Sequence, residues 1–259
     1  MNNFLEALKK ITFKKFNTVI YLQKYKLYNI NYNNISKIYI KSKNMNDVEF
    51  LCNGIKKYIT TMEKECSRFD PTIFTYNIKR TFFNVKNIKY KNISGTTGMV
   101  TSKKHLEFTL KSSNALNHEL MHLSSTKTGF GYSYLKPFDE GYTQLLAERY
   151  FNEGVGQSYR FEVDIMSEIE GIFGKDYLEK RYFKGELIDI VNELYKYTNY
   201  SKANKLISNI NLAFYLEQNS KNIDFSLIDN ISNTLQDIRM NKLSKKELVK
   251  DDNLNLKFM

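Results

Sequence analysis

Two of the chain's three histidines stand four residues apart, in His118-Glu119-Leu120-Met121-His122. On a helix, positions i and i+4 project from one face a turn apart, so two imidazoles placed there can meet a single Zn2+ at about 2.0–2.1 Å. Glu119 lies at the edge of that face. From there it can take a proton from a metal-bound water, whose pKa the zinc lowers, and pass it to a leaving group. The chemistry this predicts is metal-assisted hydrolysis; the competing reading is a pair of structural histidines on an ordinary helix.

A catalytic zinc takes three protein ligands and keeps a fourth position open. Downstream of His122, the run Asp139-Glu140-Gly141-Tyr142-Thr143-Gln144 begins a second helical pattern. Glu140 is the expected third ligand, and Gly141 is expected to let its helix approach the zinc helix closely. Gln144, one turn on, falls on the same face and is expected to support a zinc histidine through its side-chain carbonyl. Asp139 and Glu140 also suit a helix N-terminus, where acids are common for electrostatic reasons alone. The third histidine, His105, has three readings: an alternative zinc ligand, a substrate contact, or an exposed polar residue at a strand start. A tetrahedral oxyanion needs a donor, and no histidine follows His122. A tyrosine is therefore expected, and Tyr159 is the choice.

His118-Glu119-x-x-His122 followed by Asp139-Glu140-Gly141-x-Thr143 resembles the gluzincin clan of zinc metallopeptidases, in particular its small single-chain members. The resemblance implies that Glu140 is the third zinc ligand and Glu119 the general base. It also implies that the edge strand before the zinc helix, from about His105 to Leu110, pairs with an extended peptide substrate, with His105 and Glu107 as contacts. The likeness is close around the two motifs and loose over the order of elements from Asp47 to Tyr197. Thermolysin-like members carry an Asp four residues after the ligand Glu, where this chain has Gln144. An uncharged acceptor supports a zinc histidine less strongly. A catalytically weak or inactive, zinc-stabilised module that binds a peptide or protein on the same fold is therefore the alternative.

The elements that must position these residues follow from periodicity. Val48, Leu51, Ile55, Ile59, Met62 and Cys66 recur in steps of three and four, predicting an amphipathic helix over Asp47 to Arg68 that Asp70-Pro71 stops. From Ile73 to Leu110, β-branched and aromatic residues alternate, predicting a small sheet whose last strand is His105 to Leu110. Ser112, Ser113 and Asn114 then suit the cap of the zinc helix. A loop over Ser124 to Phe138, with Gly129, Gly131 and Pro137, leads into a run of helical patterns reaching Arg239. The expected fold is α+β and zincin-like: a small antiparallel or mixed sheet packed on the zinc helix, followed by an all-helical C-terminal half. Three parts are expected: a basic segment over residues 1–45, a mixed subdomain over 46–135 with the zinc helix, and a helical subdomain over 136–259 with the third ligand.

Composition bounds the partners. The formal charge is +11 over 259 residues, but residues 1–45 carry +8, residues 46–135 carry +6 and the remainder −3. Lysine outnumbers arginine 33 to 6. Bidentate phosphate and base recognition lean on arginine, so nucleic acid is disfavoured as a partner and a peptide or protein substrate is favoured. No apolar run is long enough to span a bilayer, and no leader pattern is evident near Met1, so a cytoplasmic chain without a membrane partner is expected. Cys52 and Cys66 are too far apart for a Cys-x-x-Cys pair and too few for a disulfide framework.

Overall fold

The computed structural model describes the side chains of residues 50–51, 53–78, 81, 116–125, 135–152, 159–219 and 221–245. Every regular element among them is a helix. These are α1 (Met45–Glu65), α2 (Pro71–Arg80), α3 (Ser113–His122), α4 (Lys136–Phe151), α5 (Arg160–Phe173), α6 (Lys175–Lys184), α7 (Ile188–Tyr195), α8 (Tyr200–Gln218) and α9 (Phe225–Asn255). The α+β expectation is thereby corrected: among the residues whose side chains are described, the fold is all-helical. Five extended stretches of three to five residues, from Thr18–Ile20 to His105–Thr109, pair through their backbones, with side chains outside the described residues. The expected basic segment before α1 and the loop over 126–134 also fall outside the described side chains. Among the described residues, no helix is long and apolar enough to cross a membrane.

The physical reason for the correction is plainest at Asp70-Pro71. Helix α1 ends at Glu65, ahead of Asp70-Pro71, so the proline does not stop it as expected and instead opens α2. Its missing N–H costs nothing in the first turn, where backbone donors have no intrahelical partner anyway. Asp70 caps the new helix by accepting from the backbone N–H groups of Thr72 at 2.8 Å and Ile73 at 3.4 Å. The β-branched residues Thr72, Ile73, Thr75 and Ile78 imitate strand composition. What decides the structure is the burial of Phe74, Asn77, Ile78 and Thr81, a spacing that only a helix puts on one face.

Two compact units divide the chain: Met1–Thr128 with Leu146–Gly154, and Gly129–Leu145 with Val155–Met259. Helix α4 is continuous across the division, its first turns counted in the second unit and its last turns in the first.

In the first unit, α1 buries Leu51, Ile55, Ile59 and Met62 of the predicted stripe together with Tyr58, and Cys66, just past its end, is buried as well. Gly54 lets α3 approach, since a Cβ there would stand 2.4 Å from Leu116 Cδ2. Tyr58 lies between Phe74 and Phe151, ring centres 5.0 and 5.1 Å away. Its hydroxyl pairs with Ser124 Oγ at 2.7 Å and reaches Met121 Sδ at 3.2 Å. Burial pushes the Tyr58 phenol well above its ordinary range, so it stays a neutral donor here.

In the second unit, α5 through α9 pack apolar stripes such as Ile165, Met166, Ile169 and Ile172 on α5 and Ala203, Leu206, Ile210 and Ala213 on α8. Gly185, at φ +67°, ends α6 in the left-handed conformation that a Cβ disfavours. Asn199 caps α8 by accepting from the Lys202 N–H at 2.8 Å.

Candidate metal centre

Helix α3 carries His118, Glu119 and His122, all buried, at 6%, 4% and 5% exposure. Its C-terminal end is held from outside. The Asn77 amide of α2 donates to the Leu123 and Ser125 carbonyls, both at 2.9 Å, two acceptors that the end of a helix would otherwise leave without intrahelical donors. With that end fixed and Tyr58 bound at Ser124, the turn bearing His122 has a defined direction.

The two imidazoles meet tip to tip. His118 Nε2 and His122 Nε2 are 3.2 Å apart, with ring planes 80° from one another. Two donors at about 2.0–2.1 Å from one tetrahedral centre stand about 3.3 Å apart, so the observed separation suits one shared cation. The ligand atoms of His118, His122 and Glu140 all lie within 4.8 Å of one another, and all three residues are buried. This buried group could hold a metal ion. Two imidazole nitrogens and one carboxylate oxygen form the donor set of a three-ligand zinc site with one position left open.

Glu140 sits early in α4, whose first turns are pinned within the second unit. The Tyr142 hydroxyl donates to Glu170 Oε2 at 2.7 Å, and Thr143 Oγ1 pairs with the Tyr182 hydroxyl at 2.7 Å. Gly141 does have a close approach to permit, but its partner is α5. A Cβ at Gly141 would stand 2.5 Å from the Glu162 backbone oxygen. The expectation that Gly141 brings its helix against the zinc helix is corrected accordingly. Gly141→Ala must displace either α4 or the start of α5, costing about 1–3 kcal/mol, and it moves the residue next to Glu140. A fall in both Tm and metal binding is expected. Gly171→Ala, on exposed α5 surface with only Arg239 Nη2 at 3.4 Å, is the matched control and should hold or raise Tm.

Of the other residues singled out from the sequence, Gln144 is buried on α4 at 9% exposure. Tyr159 precedes α5 with φ +62°, an uncommon left-handed conformation for a tyrosine, and its ring stacks on Phe214 of α8. His105 and Glu107 lie on the stretch His105–Thr109, with side chains outside the described residues. That stretch is flanked by Phe82–Lys86 on one side and Gly98–Val100 on the other. It therefore offers no free edge to an added peptide, which corrects the edge-strand expectation.

Sequence reasoning missed Glu162. It is 1% exposed, on the same stripe of α5 as Ile165, Met166 and Ile169, and the available signal was an acid at a core position of an amphipathic helix. Burial, then the Glu217 carboxyl beside it, and to a smaller extent Glu140, push Glu162 up to about 9. Between its ordinary value of 4.5 and about 9, the unfolded chain releases this proton while the folded chain keeps it. Stability is thus fully present below the lower value and is lost as pH rises toward the upper, by up to about 1.4 kcal/mol per pH unit. Glu162→Gln should raise Tm at pH 8 by about 5 °C or more, with the gain closing near pH 5. Parallel Tm curves for the two proteins from pH 5 to 9 would contradict this.

Compared with known protein families, curated proteins and solved structures, the chain matches none. The likeness to gluzincins therefore rests on the residues of the site.

Proposed function

We propose that the chain is a zinc-dependent peptidase in which His118, His122 and Glu140 hold the metal and Glu119 moves the protons. The observation that carries this reading is the buried His118–His122–Glu140 group, with the two Nε2 atoms at the separation of two ligands on one ion. A zinc ion, when bound, supplies a Lewis acid for the peptide carbonyl and makes water acidic enough to attack near neutral pH. Glu119, on the same helical turn, accepts the attacking water's proton and delivers it to the nitrogen of the departing chain. Burial of the site keeps these charge interactions less screened than at the surface. Gln144, through its amide oxygen, suits the role of acceptor for an imidazole N–H.

Gln144 also favours a second reading, since a neutral amide there gives a zinc histidine less support than a carboxylate would: a zinc-stabilised module that binds a peptide or protein and cleaves it slowly or not at all. Incubation of the full chain with a peptide library separates the two. Cleavage that stops on chelation and returns with stoichiometric zinc is expected. Zinc binding without cleavage selects the binding module.

A further inference from the structure

The two histidines of the metal centre are not held alike. His118 stands a full turn inside α3, whereas His122 is its last residue, where the backbone ladder gives out. Past it the ladder tightens. The Leu123 N–H still reaches the Glu119 carbonyl at 3.3 Å, but Ser124 and Ser125 donate only three residues back, to Met121 at 2.9 Å and to His122 at 3.4 Å. A terminal turn of this kind frays unless something outside the helix holds it.

Buried side chains of α1 and α2 do so. The Asn77 amide nitrogen donates to the Leu123 carbonyl and to the Ser125 carbonyl, each at 2.9 Å, so one group clasps both sides of Ser124. Ser124 Oγ donates to the Leu120 carbonyl at 3.2 Å, which leaves the Tyr58 hydroxyl, 2.7 Å away, to donate to it. Both clasping residues are themselves fixed. The Asn77 backbone carbonyl accepts from Thr81 Oγ1 at 2.8 Å, and Phe74, about one turn before Asn77 on α2, stacks on the Tyr58 ring. Packing alone would be served by an apolar residue at position 77, since its neighbours Phe74 and Ile78 are buried and apolar. A carboxamide adds two hydrogens on one neutral atom; an aspartate of the same shape offers acceptors only, and a lysine buries a charge.

We infer that Asn77, with Tyr58 acting through Ser124, is a positioning residue for His122, holding the last turn of α3 in the direction that a metal shared with His118 requires. This rests on the metal-centre reading and adds the residues outside the ligand set that govern its affinity. A ligand displaced by more than about 0.5 Å no longer serves such a site well. To test it, the zinc Kd of the full chain is measured by competition with a chromophoric chelator, and the Co2+-loaded chain by visible absorption, which reports coordination geometry, all well below Tm. Asn77→Ala should raise the zinc Kd about 10–100-fold, and Tyr58→Phe, which keeps the stacked ring, about tenfold. Both should change the Co2+ bands. Asp70→Ala is the matched control: it removes the cap of α2 and lowers Tm but leaves Asn77 in place, so its zinc Kd and Co2+ bands should stay those of the wild-type chain. A lowered Tm with unchanged Kd and bands in Asn77→Ala and Tyr58→Phe, or an equal loss of affinity in Asp70→Ala, makes the clasp merely structural and overturns the inference while the metal centre stands. If Asn77→Ala does not fold, Tyr58→Phe decides. A wild-type chain that takes up no zinc overturns the centre and this inference together.

Discussion

Glu119→Gln is expected to keep one zinc per chain and to lose peptide hydrolysis by about a thousandfold or more, within the range of general acid–base contributions. The substitution preserves the shape and burial of the side chain, which is 4% exposed, and removes only its ability to take a proton. The ligand set His118, His122 and Glu140 is untouched, so metal content and Tm should follow the wild-type chain. The loss should appear in kcat with little change in KM, because Glu119 is assigned proton transfer and no share of substrate binding. Retained hydrolysis would remove Glu119 from the chemistry. Loss of zinc together with activity would instead make it part of the metal site.

His122→Ala is expected to have the largest effect on metal and stability together. It leaves one imidazole and one carboxylate, too few to close a structural or catalytic zinc site. Zinc should fall to background after dialysis, and hydrolysis should fall with it. A ligand present at about a thousand times its Kd stabilises the folded state by about 4 kcal/mol, which for a chain of this size is about 10 °C in Tm. The wild-type chain should lose that margin on chelation, whereas His122→Ala should start without it and not respond to chelator. Calorimetry with and without chelator checks both. A chelator response that survives the substitution would place the stabilising metal elsewhere.

The centre was legible in the sequence to the extent that its geometry is local. His118 and His122 share a face because four residues make about one helical turn, and that relation holds wherever the helix packs. Glu140 was reached by a different route, from its residue type and its place early in a helical pattern, and the structure puts its carboxylate in the same buried group. The helices of the C-terminal half were legible for the same reason as α1: apolar steps of three and four survive in Ile165, Ile169 and Ile172 as they do in Leu51, Ile55 and Met62.

What was not legible depends on partners distant in the chain. Ile73 and Thr75 are at home in a strand by composition, and only the burial of Phe74, Asn77 and Ile78 together decides for α2. Pro137 was assigned to a loop, yet it lies in the first turn of α4, where a ring without an N–H is tolerated. Gly141 signalled a close approach without naming the helix approached, which is α5. The pairing of Glu162 with Glu217 joins two helices far apart in the chain, and no periodicity in either helix points to the other.

The central claim is that His118, His122 and Glu140 bind one zinc ion. It is tested most directly by anomalous diffraction from crystals of the full chain grown with zinc, with data collected on both sides of the zinc edge. One anomalous peak is predicted at about 2.0–2.2 Å from His118 Nε2, His122 Nε2 and a Glu140 carboxylate oxygen together. A peak that leaves Glu140 out of reach, or no peak between the two imidazoles in zinc-loaded crystals, would contradict it.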